Sequence, residues 1–206
     1  MRMPCSYDPP LINRIIAFHG HFCPGLAIGI RASELALVKL GKLESLDLVS
    51  IVETDMCAVD AIQFLTGCTF GKGNLIHRDH GKMAFNFYDR KSGRGFRALL
   101  RSEIQESIMG TEMRTLMKKV TGGNAAPEEI SRYENLRSEL QYQYMTADLE
   151  NLFEIQDLET PVPKATRILE NLRCEDCGEM TMESRTRRFD NKTLCIPCFN
   201  KIEQKI

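Results

Sequence analysis

The sequence predicts an α+β protein in which helices pack on an antiparallel sheet, followed by a small C-terminal domain of the zinc-ribbon or treble-clef-like type. Helical periodicity and strand alternation are interleaved along the first three quarters of the chain. Two Cys-x-x-Cys pairs lie near the C-terminus. The stiff, proline-rich residues 160–164 separate the two regions, so the predicted domains are residues 1–163 and 164–206.

Two helices are expected at the start of the chain. Apolar residues at helical spacing predict a first helix over residues 11–18, ending at Gly20. A second helix is expected from Pro24 to about Leu40. Its first turns are apolar on every side and contain two glycines, which predicts burial against another backbone.

Strands and further helices follow in the first domain. Residues 46–53 are rich in β-formers and predict a strand, which leads into a helix over 54–65 capped by Thr54 or Asp55. Residues 67–74 are expected to form a glycine-rich loop. Residues 82–89 alternate and predict a strand paired with residues 95–101.

The end of the first domain is predicted to be helical. The helical pattern resumes at Thr111 and is broken at Gly122-Gly123. Pro127 begins a further helix, with acidic residues in its first turn. Its apolar stripe runs to Ala147 and is expected to extend as far as Leu152.

Composition narrows the class of protein. The chain has 206 residues, of which 43% are hydrophobic and 27% charged, as in an ordinary globular protein. A net charge of −1 provides no general attraction to nucleic acid or to anionic membranes. Residues 1–10 lack the apolar run of a signal peptide and no stretch is as long as a membrane span, so we expect a cytoplasmic protein without membrane contact.

The segment His19-Gly20-His21-Phe22-Cys23-Pro24 carries the first candidate metal site. In an extended backbone, His19, His21 and Cys23 would point to the same side, because side chains alternate with a period of two. Pro24 suits the first residue of a helix, which places Cys23 at the N-cap, where the helix dipole favours a thiolate. The chain has four His and places two of them here, so we expect a metal or nucleophile site rather than a turn.

Several residues are candidates to complete this core site. Cys57 and Asp60 are three positions apart and therefore lie on one face at the start of their helix. Cys68 lies in the following loop. The sequence does not choose among Cys57, Cys68, His19 and Asp60 as the remaining ligands, and the expected metal is zinc or another transition metal.

The second candidate site is the C-terminal group Cys174, Cys177, Cys195 and Cys198. Two matched pairs at this spacing predict a closed tetrahedral zinc site that is structural, whereas a redox dithiol is the less favoured alternative. A domain of about forty residues buries too little surface to fold alone, so zinc is expected to supply much of its folding free energy. Basic and acidic residues balance after residue 168, so protein contact is favoured over nucleic acid.

Two other polar loops are weaker candidates for binding. Residues 67–73 are similar to a phosphate loop, but they are one residue short and Gly73 stands where Ser or Thr would bind magnesium. They are not a Walker A motif, although Lys72 and the backbone amides suggest a weak anion site. Residues 77–80 offer a second donor cluster, which we interpret as polar residues facing solvent.

The motifs together resemble the FmdE family of proteins, which is named after formylmethanofuran dehydrogenase. The resemblance extends over residues 10–160 and is carried by residues 19–25, 55–63, 66–75 and 79–82, and the zinc ribbon resembles an appendage of some members. It implies an α+β core with a bound metal and intertwined homodimers. The family name reflects an association with a molybdenum or tungsten enzyme that reduces carbon dioxide to a formyl group.

Three functional hypotheses follow. The leading one is a cytoplasmic, homodimeric metal-binding protein with a structural zinc and a core metal, which delivers or senses metal or docks onto a redox enzyme or another protein. The first alternative is a metal-dependent enzyme acting on a small substrate through an open position on the core metal. The second is a zinc-finger transcriptional regulator or metal sensor.

Overall fold

The computed structural model describes residues 5–41, 47–104, 110–159, 161–165 and 167–202. The chain divides into two compact units, Met1–Ala165 and Thr166–Ile206. No helix in the described ranges combines the length and the apolar character needed to span a bilayer.

The first unit is an α+β domain, as predicted. In chain order its elements are α1 (Pro9–His19), α2 (Pro24–Leu40), β1 (Leu48–Val52), α3 (Ala58–Thr66), β2 (Leu75–His77), β3 (Ala84–Asp89), β4 (Gly95–Leu100), α4 (Thr111–Thr121), α5 (Pro127–Thr146), α6 (Leu149–Leu152) and β5 (Phe153–Asp157). The sheet order is β2-β1-β3-β4-β5, with β2 parallel to β1 and the other neighbours antiparallel.

The structure differs from the sequence prediction at several element boundaries. The sheet is antiparallel, as predicted, except at its edge strand β2, which was not predicted and pairs parallel to β1. The helix from Pro127 ends at Thr146, and Leu152 belongs to a separate short turn that leads into the unpredicted strand β5. Leu46 and Thr160 of the predicted strand and linker lie outside the described residues.

The main hydrophobic core lies between the helices and one face of the sheet. Phe85, Phe87 and Phe96 point from neighbouring strands into this core and are at most 1% exposed. Phe85 and Phe87 therefore share one face of β3, as predicted, although all six residues of the strand are buried. Helix α2 is buried from Leu26 to Ala36, which its uniformly apolar start predicted.

A buried ion pair within α2, between Arg31 and Glu34, holds two other segments of the chain against this helix. Arg31 donates to Glu34 Oε2 at 2.6 Å and to the carbonyl of Ala147 at 2.5 Å. The backbone N–H of Ser6 donates to Glu34 Oε1 at 2.6 Å. The N-terminal segment and the end of α5 are therefore tied to α2 by charged groups with defined partners.

The opposite face of the sheet carries a buried carboxylate. Arg97 donates to both oxygens of Glu53 at 2.7 and 2.9 Å, and Asn86 donates at 3.1 Å. These bonds, chiefly those from Arg97, lower the pKa of Glu53 from 4.5 to about 2.

We expect Glu53 to make the protein acid-sensitive. Because its pKa is lower in the folded state, its stabilisation is full above pH 4.5 and is lost as the pH falls toward 2. At about 1.4 kcal/mol per pH unit, this stabilisation is about 3 kcal/mol. Denaturant titrations across this pH range should show Glu53→Gln less stable than wild type at pH 7, and the difference should shrink on acidification. Glu134→Gln, on the exposed surface of α5, is the control. A difference that does not vary with pH would contradict this role.

The second unit is built from two short strand pairs and a helical turn. Its elements are β6 (Asn171–Arg173), β7 (Met180–Met182), a 3-10 turn (Glu183–Arg185), β8 (Thr186–Phe189), β9 (Lys192–Cys195) and α7 (Ile196–Phe199). β6 pairs with β7 and β8 pairs with β9, both antiparallel. The last cysteine pair spans the end of β9 and the turn α7, which is a treble-clef-like arrangement.

Candidate metal centres

Three helix ends meet at the core site. His19 is the last residue of α1, Cys23 caps the start of α2, and Cys57 precedes the first residue of α3. The Cys23 Sγ accepts the backbone N–H of Leu26 at 3.3 Å, which confirms the predicted N-cap. Neither Thr54 nor Asp55 caps α3, because that helix begins later, at Ala58.

The His-Gly-His segment is not extended, so the side-chain alternation considered from the sequence does not apply to it. His19 is helical and Gly20 ends α1 with φ +95°, a left-handed conformation that favours glycine. The chain reverses there and returns through His21 to Cys23. The side chains therefore meet through a helix end and a turn rather than through strand alternation.

The structure brings together four side chains of types that can bind a metal. One donor atom from each of His19, His21, Cys23 and Cys57 lies within 4.8 Å of the other three. The His19 Nε2 is 4.0 Å from the Cys23 Sγ, and the ring centroids of His19 and His21 are 4.6 Å apart. Cys23 is buried, His19 and Cys57 are half-buried, and His21 is exposed.

This group fits a tetrahedral transition metal. Zinc–sulfur bonds of about 2.3 Å and zinc–nitrogen bonds of about 2.0 Å place neighbouring donors about 3.3–3.8 Å apart. The observed spacing is slightly wider, so a small inward movement of the side chains would suffice. Burial raises the pKa of the Cys57 thiol, and the adjacent Cys23 raises it further.

The other candidate ligands lie elsewhere. Cys68 follows the opposite end of α3, is fully buried, and donates to the Leu48 carbonyl at 3.3 Å. The structure does not bring it to the group around Cys23. Asp60 contacts His19 Nδ1 at 2.7 Å and so lies behind one ligand rather than among the four donors.

The two weaker candidates, residues 67–73 and 77–80, each make a side-chain hydrogen bond within the first unit. Lys72 donates to the Gly67 carbonyl at 2.9 Å, so its ammonium closes its own loop. Residues 77–80 are exposed, and His80 Nδ1 is 3.3 Å from Glu53 Oε2. The contact of His80 with Glu53 could not be predicted from the sequence, because no local spacing links the two positions.

The four cysteines of the second unit form a separate cluster. The sulfur atoms of Cys174, Cys177, Cys195 and Cys198 all lie within 4.8 Å of one another. The backbone N–H of Cys195 donates to the Cys174 Sγ at 3.3 Å, and such donors lower the pKa of Cys174 to about 6. Gly178 adopts φ +76° and donates to the Cys174 carbonyl, which closes the tight turn between the first two cysteines. This donor set fits structural zinc.

An α+β domain with grouped His and Cys side chains, joined to a four-cysteine finger, defines a two-domain metal-binding protein. Residues 18–154 match the family model described as "FmdE, Molybdenum formylmethanofuran dehydrogenase operon". The chain belongs to this FmdE family. Residues 167–204 match the prokaryotic dksA/traR C4-type zinc finger.

The chain is also similar to one curated protein and to one solved structure, and the name of the solved structure agrees with the family. The chain is 33% identical over 202 residues to a protein of Archaeoglobus fulgidus named "Probable S-adenosyl-L-methionine-binding protein". The match covers 95% of this chain and 54% of that protein, so the chain spans about half the length of this relative. The crystal structure of a tungsten formylmethanofuran dehydrogenase FmdE-like protein from Syntrophus aciditrophicus has a TM-score of 0.62 and 25% identity, covering 98% of both chains.

Proposed function

We propose that this chain is a homodimeric accessory protein that holds a transition metal at His19, His21, Cys23 and Cys57, in addition to a structural zinc in its finger. The observation that carries the proposal is the convergence of these four donors within 4.8 Å. Two imidazoles and two thiols form the set that zinc and related divalent metals prefer.

The form of the core site favours holding metal over catalysis. Four protein donors fill a tetrahedral shell, whereas a catalytic zinc has three protein ligands and one open position. The exposed His21 gives the site a solvent-facing ligand through which metal can enter and leave. These features support metal delivery or sensing, and they make the enzyme hypothesis the second candidate.

The accessory role is supported by the family description, which places the family in the operon of a molybdenum enzyme. The solved relative is likewise named after a tungsten enzyme. We therefore propose a redox enzyme of this kind as the partner. The four-cysteine finger is consistent with protein contact, because its exposed Arg187 and Arg188 are offset by acidic residues in the same unit.

Elemental analysis and native mass spectrometry test both parts of the proposal. We expect two zinc-class metals per chain in a dimer, and one per chain after Cys57→Ser in the core or Cys177→Ser in the finger. Cys68→Ala is the matched control and should keep two, because Cys68 is outside both groups. Protein isolated from native extract should also carry molybdenum or tungsten from the copurified enzyme. A single metal that disappears only with the finger mutation would overturn the core site.

A further inference from the structure

Asp60 forms a short polar contact behind the core site. Its Oδ2 lies 2.7 Å from the Nδ1 of His19, and this contact joins the end of α1 to the first turn of α3. The His19 side chain is 10% exposed and the Asp60 side chain 40% exposed. The imidazole is therefore enclosed, while the carboxylate keeps access to water.

The geometry distinguishes the two nitrogens of His19. A carboxylate accepts hydrogen bonds, so the nitrogen that faces Asp60 carries the proton. The other nitrogen, Nε2, then has a free lone pair, and it faces the Cys23 Sγ at 4.0 Å. The residue that contacts Nδ1 thus determines which nitrogen is available to a metal.

We propose that Asp60 is a positioning residue that holds His19 as the Nδ1–H tautomer and directs its Nε2 lone pair toward His21, Cys23 and Cys57. The effect on metal affinity rests on the proposed function, but the effect on the tautomer does not. Removing such a partner of a ligating histidine weakens metal binding about 10- to 100-fold.

The neighbourhood of Asp60 offers a matched control. Gln63 lies one turn further along α3 and donates to the other carboxylate oxygen, Oδ1, at 3.5 Å. It contacts Asp60, whereas the ligand His19 is bonded through Oδ2. Gln63→Ala therefore perturbs the same carboxylate and the same helix while leaving the acceptor for His19 in place.

The first measurement is the tautomer of His19 in metal-free protein, read from its ring ¹⁵N chemical shifts at a pH where the imidazole is neutral. We expect the Nδ1–H form in wild type and in Gln63→Ala. In Asp60→Ala the Nε2–H form should appear, and Asp60→Asn, which keeps an amide oxygen, should lie between them. An unchanged tautomer in folded Asp60→Ala would overturn the proposal.

The second measurement is the affinity for cobalt(II), titrated into protein whose finger is already loaded with zinc. We expect a dissociation constant about 10- to 100-fold higher for Asp60→Ala than for wild type, and a change of less than about twofold for Gln63→Ala. Equal affinities for wild type and Asp60→Ala would overturn the positioning role and leave the proposed function intact. If wild type bound no core metal, the proposed function would fail, and the tautomer measurement would still decide the role of Asp60.

Discussion

Loss of zinc from the C-terminal finger is expected to unfold the whole of residues 167–202. The buried hydrophobic side chains described in this unit are Cys174, Leu194, Cys195 and Cys198, so three of the four belong to the four-cysteine cluster. Burying one leucine contributes about 1.5–3 kcal/mol, whereas ordering each residue costs about 1–2 kcal/mol. Binding of structural zinc contributes about 10–16 kcal/mol and therefore decides whether the finger folds.

The variant Cys195→Ala tests this expectation without removing metal from the core site. We expect amide hydrogen exchange in residues 167–202 to lose its protection, while protection in β3 and α2 is retained. His21→Ala is the matched control, because it removes an exposed side chain of the His/Cys group in the other unit. A finger that kept its protection in Cys195→Ala would show that zinc is not what folds it.

Gly29→Ala is expected to destabilise the first unit by about 3 kcal/mol. Helix propensity alone would predict the opposite sign, a gain of about 1 kcal/mol for replacing a helical glycine. A Cβ at Gly29 would lie 2.2 Å from the carbonyl oxygen of Ala58, which is a backbone atom that cannot rotate away. The close approach of α2 and α3 at this point therefore requires glycine.

The same substitution should weaken the core metal site. Gly29 and Gly25 set the distance between α2 and α3, and the added Cβ would push Cys23 away from Cys57. The free energy of unfolding, from chemical denaturation, and the metal content per chain should both fall when they are measured on the same preparation. Gly71→Ala is the control, since no atom lies within 4 Å of its Cβ position. Unchanged or increased stability in Gly29→Ala would contradict this account of the packing.

Local sequence signals were sufficient for the starts of α2 and α5 and for much of the finger, but not for the start of α3. Pro24 and its preceding Cys23 predicted the cap of α2, because capping involves residues only three positions apart. The spacing of Phe85 and Phe87 predicted that both lie on one face of β3, because side chains alternate along a strand. The paired spacing of Cys174, Cys177, Cys195 and Cys198 predicted one cluster, since each pair forms a single tight turn.

The tertiary structure alone decided which residues join the core group. Cys57 and Cys68 were equivalent candidates in the sequence, and the packing of α2 on α3 placed Cys57 beside Cys23 and Cys68 against Leu48. The contact of His19 with Asp60 joins positions 41 residues apart, which no periodicity or cap specifies. The proximity of Cys57 to Cys23 depends on how closely α2 and α3 approach, and that distance is set by Gly29, where a Cβ would meet the Ala58 carbonyl.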